Sequence, residues 1–217
     1  MSLIIFDMDG TLIDSGATIS SRVNGAFAAL GLPQPSAEAV RANVGLSLPL
    51  YMGQVADTTD EDLIARLMHA YREISALAPP GQMPLFAGAQ TALQRLSMRP
   101  QTILGVATGK GRLGLDRALS QTGIGHYFKT LQTPDNNPSK PHPSMLLTAM
   151  DECGATPAET LMIGDAVFDI QMARAAGVQA IGVGWGLQSP KDLLRAGAAR
   201  IIDSFDDLDA AIDELLE

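Results

Sequence analysis

The chain has 217 residues, of which 46% are hydrophobic and 18% are charged, a composition typical of a globular protein with a substantial core. Its formal net charge of −9 argues against a nucleic-acid-binding surface and against binding to an anionic membrane. The single cysteine, Cys153, excludes an intrachain disulfide and a thiolate metal cluster. No apolar run approaches roughly 18 residues, and the N-terminus lacks a signal-peptide pattern. We therefore expect a cytoplasmic protein without a membrane partner.

The first stretch, residues 3–6, is a short unbroken apolar run, which predicts a strand buried on both faces. It ends at a carboxylate: Asp7 and Asp9 alternate with Met8, and Gly10 permits a turn. Ligands of open α/β sheets bind just beyond the carboxyl ends of the strands. Because two neighbouring carboxylates repel each other, we expect a cation or a phosphoryl group to be held between them.

The sequence from residue 15 to about residue 78 predicts only helices. Ser15 is a candidate N-cap for the first of them, and Asp60 for the last. Helices are predicted over residues 15–30, from residue 36, and over 46–55 and 61–78. Because this helical block follows the first strand directly, we predict a helical cap domain over residues 15–81, inserted into a core domain formed by residues 1–14 and 82–217.

Strands and helices alternate through the rest of the chain. The predicted strands are 102–107, 127–132, 160–163, 179–183 and an edge strand at 200–202. The predicted helices are 89–97, 112–122, 143–153, 166–176 and 206–216. Such alternation predicts an α/β fold, a Rossmann-like parallel sheet with helices on both faces, here with an inserted all-helical cap.

Further chemically active side chains follow the other predicted strands. Thr108 and Gly109 end the second strand, Asp165 ends the fourth, and Lys140 lies in a loop before a helix. Asp169 follows Asp165 by one helical turn. Because the carboxyl ends of parallel strands share one edge of the sheet, we expect these residues to converge with the opening acids.

This set of side chains suits phosphoryl transfer, which needs a nucleophile, a cation and donors for the remaining phosphoryl oxygens. Asp7 is a carboxylate that can attack phosphorus. Asp7 and Asp165 are oxygen ligands of the kind that Mg²⁺ prefers. Thr108 supplies a donor, together with the amide of Gly109, and Lys140 supplies a positive charge.

Four segments match, in order, the motifs of a known superfamily. They are Asp7-Met8-Asp9-Gly10-Thr11, Thr108, Lys140-Pro141 and Gly164-Asp165-Ala166-Val167-Phe168-Asp169. With them the whole chain resembles the haloacid dehalogenase (HAD) superfamily, and most closely its phosphoglycolate phosphatase-like group. The resemblance implies a Mg²⁺-dependent phosphatase that hydrolyses a small phosphate monoester, with phosphoglycolate as a candidate.

The resemblance also implies a role for each acid. Asp7 would be the nucleophile that forms a phospho-aspartyl intermediate. Asp9 would protonate the leaving alkoxide and then activate water. Asp7, the backbone carbonyl of Asp9 and Asp165 would hold Mg²⁺, and Asp169 would support a metal-bound water.

Three residues would bind the substrate phosphate by the same resemblance: Thr108, Gly109 and Lys140. Many relatives have Asn at the position of Gly109, so this chain lacks one side-chain donor there. The basic residue that follows, Lys110, is present.

Related activities fit less well. A dehalogenase would need neither Asp9 nor Asp165, and a phosphonate-cleaving relative would need a cap lysine, but residues 15–80 contain none. A sugar-phosphate mutase stays an alternative, since its second phosphate could bind one of four cap arginines: Arg22, Arg41, Arg66 and Arg72.

Two alternatives come from other classes: a signalling phospho-acceptor and a non-catalytic binding protein on an enzyme fold. For the enzyme, we expect a small phosphorylated metabolite as partner and a monomer or homodimer. Cap residues 41–48 are predicted to set specificity, with Arg41 as a candidate for binding a substrate carboxylate. The hinges of the cap are predicted near residues 14–15 and 79–81.

Overall fold

The computed structural model describes residues 1–79 and 83–216. A six-stranded sheet has the order β3-β2-β1-β4-β5-β6, and all neighbouring strands are parallel. The strands are β1 (Ser2–Phe6), β2 (Thr102–Ala107), β3 (Phe128–Gln132), β4 (Thr160–Gly164), β5 (Gln179–Val183) and β6 (Arg200–Ile202). The predicted parallel sheet, with the last strand at its edge, is confirmed.

Ten α-helices occur in the described residues. They are α1 (Gly16–Ala29), α2 (Ala37–Ala42), α3 (Leu48–Val55), α4 (Glu61–Leu77), α5 (Ala89–Ser97), α6 (Arg112–Thr122), α7 (Ser144–Cys153), α8 (Val167–Ala175), α9 (Pro190–Ala196) and α10 (Leu208–Leu216). Sequence reasoning missed α9, although Ser189 caps it by accepting a hydrogen bond from the Asp192 amide and Pro190 begins it. The third strand begins at Phe128, because residues 125–127 form a 3₁₀ turn.

The two faces of β1 bury separate clusters. Ile4 and Phe6 pack with α5, α6 and α10, whereas Leu3 and Ile5 pack with α7 and α8. All four side chains are fully buried, as expected for a central parallel strand covered on both faces by helices. The predicted layers of helices on both faces are confirmed.

The strand order places one end of β1 at a crevice. Strand β1 pairs with β2 on one side and with β4 on the other. The order of the strands therefore reverses next to β1, and open α/β sheets bind their ligands in the crevice at such a point. The Asp7 amide still donates to the Ile163 carbonyl, at 2.9 Å, and the Thr108 amide donates to the Gln132 carbonyl, at 3.1 Å. Both residues are thus fixed by the end of the sheet.

Helices α1–α4, which we call the cap, have a core of their own. Val23, Met52 and Leu67 are fully buried within it. The two chain segments joining cap and sheet are paired, since the Asp14 amide donates to the Pro84 carbonyl at 2.8 Å. The predicted domain limit at 81/82 and most of the hinge at 79–81 lie outside the described residues, so the limits stay a prediction. No helix in the described ranges combines the length and apolar character needed to cross a membrane.

Candidate active site

The strand ends bring the predicted site residues to one edge of the sheet. Asp7 and Asp9 follow β1, Thr108 follows β2, and Asp165 follows β4. The loop between β3 and α7 adds Lys140. Five of these residues are at most 1% exposed: Asp7, Thr108, Lys140, Asp165 and Asp169. Asp9 is 9% exposed. Side chains more than 150 positions apart in the sequence therefore share one buried site.

Lys140 is the cation at the centre of this site. Its Nζ lies 3.0 Å from Asp7 Oδ1 and 2.5 Å from Asp169 Oδ1. Burial alone would lower the pKa of the Lys140 ammonium, but Asp169 and Asp7 outweigh it and raise that pKa. Lys140 is therefore a permanent positive charge between two carboxylates.

Asp7, Asp165 and Asp169 form a buried acidic triad, with one carboxylate oxygen of each lying within 4.8 Å of the others. The pKa of Asp7 is raised to about 7, mainly by burial, with Lys140 opposing this effect and the charges of Asp169 and Asp9 adding to it. Burial, with the charges of Asp7 and Asp169, also raises the pKa of Asp165 well above its usual range. Three hard oxygen donors whose charges repel one another could bind a divalent cation.

The triad differs in one respect from the predicted ligand set of Asp7, Asp9 and Asp165. Asp169, expected to support a metal-bound water, lies inside the group, whereas the Asp9 side chain lies outside it. Asp7 Oδ2 is buried and has no hydrogen-bond partner among the described residues, which fits a group that has room for an external ligand. Which atoms bind the ion stays a prediction.

The remaining acids of the triad are held by fixed donors. Asp165 Oδ1 accepts from the Thr11 hydroxyl at 3.0 Å, and Oδ2 accepts from the Leu187 amide at 2.8 Å. Asp169 Oδ2 accepts from the Ala166 amide at 3.0 Å. A Cβ at Gly10 would collide with the Asp165 carboxylate, so glycine is required there both for space and for its positive φ.

Asp9 has a different environment, at the boundary with the cap. Its Oδ2 lies 2.8 Å from the Nζ of Lys110, while its Oδ1 is buried without a hydrogen-bond partner in the described chain. The Lys110 amide also donates to the Thr108 hydroxyl, at 3.3 Å. Our predicted site omitted Lys110, although its place two residues after Thr108 was the available signal.

The structure explains why position 109 is glycine. A Cβ there would lie 2.5 Å from the Leu46 carbonyl oxygen and would also collide with the carbonyl of Gly45. The same cap loop is anchored to the core, since the Ser47 amide donates to the Ser139 hydroxyl at 2.8 Å. Backbone of the cap therefore occupies the space that a side chain at Gly109 would need.

A cavity of about 900 Å³ separates the cap from the edge of the sheet. Core residues Asp7, Asp9, Thr108 and Lys110 line one side of it. The cap side includes part of the predicted specificity segment, 44–48, and also Ile19, Tyr51 and Tyr71. It further includes Arg22, one of the four cap arginines considered for binding a second phosphate. Arg41, our candidate for binding a carboxylate, is exposed and does not line the cavity, which argues against that role.

Comparison with known proteins identifies relatives along the whole chain. Residues 4–183 match the family model described as haloacid dehalogenase-like hydrolase. A probable phosphatase, IndB, of Dickeya dadantii is 36% identical, over 99% of this chain and 95% of its own. A phosphoglycolate phosphatase of Pseudomonas putida is 32% identical, over 93% and 76%. The pyrophosphatase PpaX of Oceanobacillus iheyensis is 31% identical, over 94% of both chains.

The fold has close counterparts among solved structures. The crystal structure of a hydrolase from Pseudomonas syringae superimposes with a TM-score of 0.84 at 26% identity, covering 100% of both chains. The similarity therefore includes the cap helices as well as the sheet.

Proposed function

The chain belongs to the haloacid dehalogenase-like hydrolases and is an enzyme that hydrolyses phosphate esters, and we propose that it does so with Mg²⁺ through a phospho-aspartyl intermediate on Asp7. The observation that carries this proposal is the buried triad of Asp7, Asp165 and Asp169, two of which, Asp7 and Asp169, also pair with the Lys140 ammonium. Such a concentration of buried carboxylates is unfavourable for folding alone, and its geometry suits phosphoryl transfer.

Asp7 would attack first. One of its carboxylate oxygens forms a bond to phosphorus while the ester bond to the leaving oxygen breaks. Its Oδ2 has no partner among the described residues and is therefore available for this step, while Lys140 pairs with Oδ1. Lys140 and Thr108, with the Gly109 amide, would bind the other phosphoryl oxygens.

Asp9 would move the protons. Its carboxyl group donates a proton to the leaving alkoxide, and the resulting carboxylate then takes a proton from the water that attacks phosphorus and releases phosphate from Asp7. Lys110 fixes Asp9 Oδ2, which leaves Oδ1 for proton transfer. Acid–base help of this kind accelerates reactions by about 10²–10⁴-fold.

For the metal we propose Asp7, Asp165 and the backbone carbonyl of Asp9 as ligands. Asp169 would support the site indirectly, because its Oδ1 is paired with Lys140 and its Oδ2 with the Ala166 amide. Mg²⁺ bound there would neutralise negative charge on the phosphoryl oxygens.

The substrate we propose is a small phosphorylated metabolite. The relatives named above are a phosphoglycolate phosphatase and a pyrophosphatase, which makes phosphoglycolate and pyrophosphate the first two compounds to try. We place the reaction in the cytoplasm, since the single cysteine gives the fold no dependence on an intrachain disulfide. A monomer or homodimer stays our prediction for its assembly.

The test is phosphate release from a panel of two-carbon, sugar, nucleotide and pyrophosphate substrates, with Mg²⁺ and with a chelator. We expect many turnovers per protein with Mg²⁺, and a loss on the order of 10³-fold or more in Asp7→Asn. Brief mixing with substrate, followed by acid quench and mass spectrometry, should detect one added phosphoryl group on the wild type but not on Asp7→Asn.

Each alternative predicts a different outcome. A sugar-phosphate mutase would isomerise its substrate without steady phosphate release, and a signalling phospho-acceptor would release at most one phosphate per protein. A binding protein would be inactive on the whole panel. Turnover in Asp7→Asn within a few-fold of the wild type would exclude the covalent route.

A further inference from the structure

Arg22 is a cation of the cap with no acidic partner among the described residues. It extends from α1 and lines the cavity between cap and core. Its Nε is buried and has no hydrogen-bond partner, and it forms no ion pair within residues 1–79 and 83–216. A buried donor without a partner is unfavourable. Binding of a ligand in the cavity would remove that penalty.

Of the other Lys and Arg side chains that line the cavity, three are engaged by the protein itself, while Arg72 is exposed. Lys110 is paired with Asp9, Arg112 with Asp116 at 2.8 Å, and the Arg117 guanidinium donates to the Ser75 carbonyl at 3.0 Å. Arg22 differs from these three, and from the exposed Arg72, in being a cavity-lining cation with a buried nitrogen that has no hydrogen-bond partner among the described residues.

Tyr71 connects Arg22 to the reacting residues. The Arg22 guanidinium hydrogen-bonds the Tyr71 side chain, whose phenol also lies within the electrostatic influence of Lys110 and Asp9. Burial raises the pKa of the Tyr71 phenol, against the opposite effect of Lys110 and Arg22, so the phenol stays neutral and can donate. Arg22 thus marks a second polar position in the cavity, linked through the Tyr71 phenol to the charges of Asp9 and Lys110.

Much of the cavity wall is apolar. Ile19, Leu46, Leu48 and Met83 line the cavity, along with Tyr51. A volume of about 900 Å³ is near the upper end of the range for sites that hold drug-sized ligands. A two-carbon ester would leave most of this space to water.

We infer that the substrate carries a second anionic group, a carboxylate or a phosphate, which binds Arg22 at the far end of an apolar body longer than two carbons. The inference rests on the proposed function and specifies the substrate class of the same site. A guanidinium suits either anion, because its planar fork can donate two parallel hydrogen bonds to a carboxylate or to a phosphate.

The experiment measures kcat/KM for three series of phosphate esters of increasing chain length. One series ends in a carboxylate, one in a second phosphate and one in a methyl group. We expect the anionic esters longer than two carbons to exceed the methyl-ended esters of equal length by about tenfold or more. The ratio between the carboxylate and phosphate series then identifies the preferred anion.

Arg22→Met should abolish this preference, and Arg22→Lys should retain part of it. The matched control is Arg41→Met, since Arg41 is also a cap arginine but is exposed and outside the cavity; it should leave the preference unchanged. If Arg22→Met does not fold, the wild-type comparison still decides, as does calorimetric binding of the same three series to Asp7→Asn.

Equal kcat/KM for anionic and methyl-ended esters in the wild type would overturn the inference, and so would a preference that survives in Arg22→Met. In both cases continued hydrolysis of the methyl-ended esters would leave the proposed phosphatase intact. Failure to hydrolyse any ester, 4-nitrophenyl phosphate included, would instead overturn the proposed function.

Discussion

The two walls of the cavity are built on different principles. On the sheet side, Lys140 pairs with both Asp7 and Asp169, and all three side chains are buried. On the cap side, Arg22 has an unpartnered nitrogen and its neighbours are mainly apolar. The charges on the sheet side are thus fixed by one another, with Asp7 Oδ2 and Asp9 Oδ1 left for the reaction, whereas the cap side has a donor left for selecting a ligand.

The difference separates chemistry from selectivity. Electrostatic help with phosphoryl transfer requires groups that are fixed before the substrate arrives, and the fixed groups are at the strand ends. Selection among substrates requires contacts that only some leaving groups can make, and the cap supplies these. Substitutions on the sheet side should therefore affect all substrates, and those on the cap side only some.

After loss of the nucleophile, the largest effect is expected from Asp9→Asn. Removing the proton donor should lower kcat/KM for alkyl phosphates by about 10²–10⁴-fold. The loss should be smaller for 4-nitrophenyl phosphate, whose leaving group departs without a proton. The control is Asp14→Asn, an exposed acid on the same loop, which should keep wild-type activity. Equal losses for both leaving groups would contradict the assigned role.

The second prediction concerns stability in the absence of metal. Burial, partly opposed by Lys140, raises the pKa of Asp7 from 3.8 to about 7 in the folded protein. Because the folded state holds this proton more tightly than the unfolded state, wild-type stability should fall as the pH rises from about 4 to about 7. Asp7→Asn should remove the part of that slope that Asp7 contributes, while Asp165, whose pKa is also raised, contributes to the slope of both proteins.

The measurement is urea unfolding of both proteins with a chelator at pH 4 and pH 8. Asp7→Asn should be more stable than the wild type at pH 8, on the order of a few kcal/mol, and equal to it at pH 4. The inactive variant would then be the more stable one, as expected where buried charge serves function rather than folding. A difference that does not change with pH would count against this account.

The third prediction tests how closely the two walls approach. Gly109→Ala would place a Cβ against the Gly45 and Leu46 carbonyls, which must then move away. We expect kcat/KM to fall about tenfold, because incomplete closure of the cap admits water and misaligns the site.

The matched control is Gly111→Ala in the same loop, where the Cβ would meet only Asp135 Oδ2, at 3.5 Å, an ordinary contact. Neither glycine has a positive φ. The two variants therefore differ in the steric collision of the added Cβ and not in backbone strain. Equal activity in the two variants would show that the cap loop can move away from the added Cβ without any effect on closure of the cap.

The contrast between the sheet side and the cap side of the cavity also explains which features could be predicted from the sequence. Asp7, Thr108 and Asp165 each follow an apolar strand, and parallel strands bring such residues to one edge whatever their distance in the chain. The order of the elements thus defined both the sheet and the convergence of the acids. Helix α9 was missed because its seven residues carry too short a pattern for helical periodicity to show.

The cap side could not be deduced in this way. Periodicity shows which face of α1 is apolar, but it does not show that Arg22, on the border of that face, is turned toward the sheet. The candidate chosen from the sequence, Arg41, proved to be exposed. Likewise, the reason for glycine at position 109 depends on the carbonyls of Gly45 and Leu46, more than 60 positions earlier in the sequence. Contacts of this kind depend on how two separately packed units meet.

The smallest effect is expected from Ser139→Ala. The Ser139 hydroxyl accepts from the Ser47 amide at 2.8 Å and so joins the cap loop to the loop that carries Lys140. Removing this hydrogen bond should destabilise the closed state by about 1 kcal/mol, which corresponds to a loss of about fivefold in kcat/KM. The loss should be similar for anionic and methyl-ended esters, since closure precedes discrimination. Ser97→Ala, on exposed α5 surface, serves as the control, and a loss confined to one series would place Ser139 in substrate recognition instead.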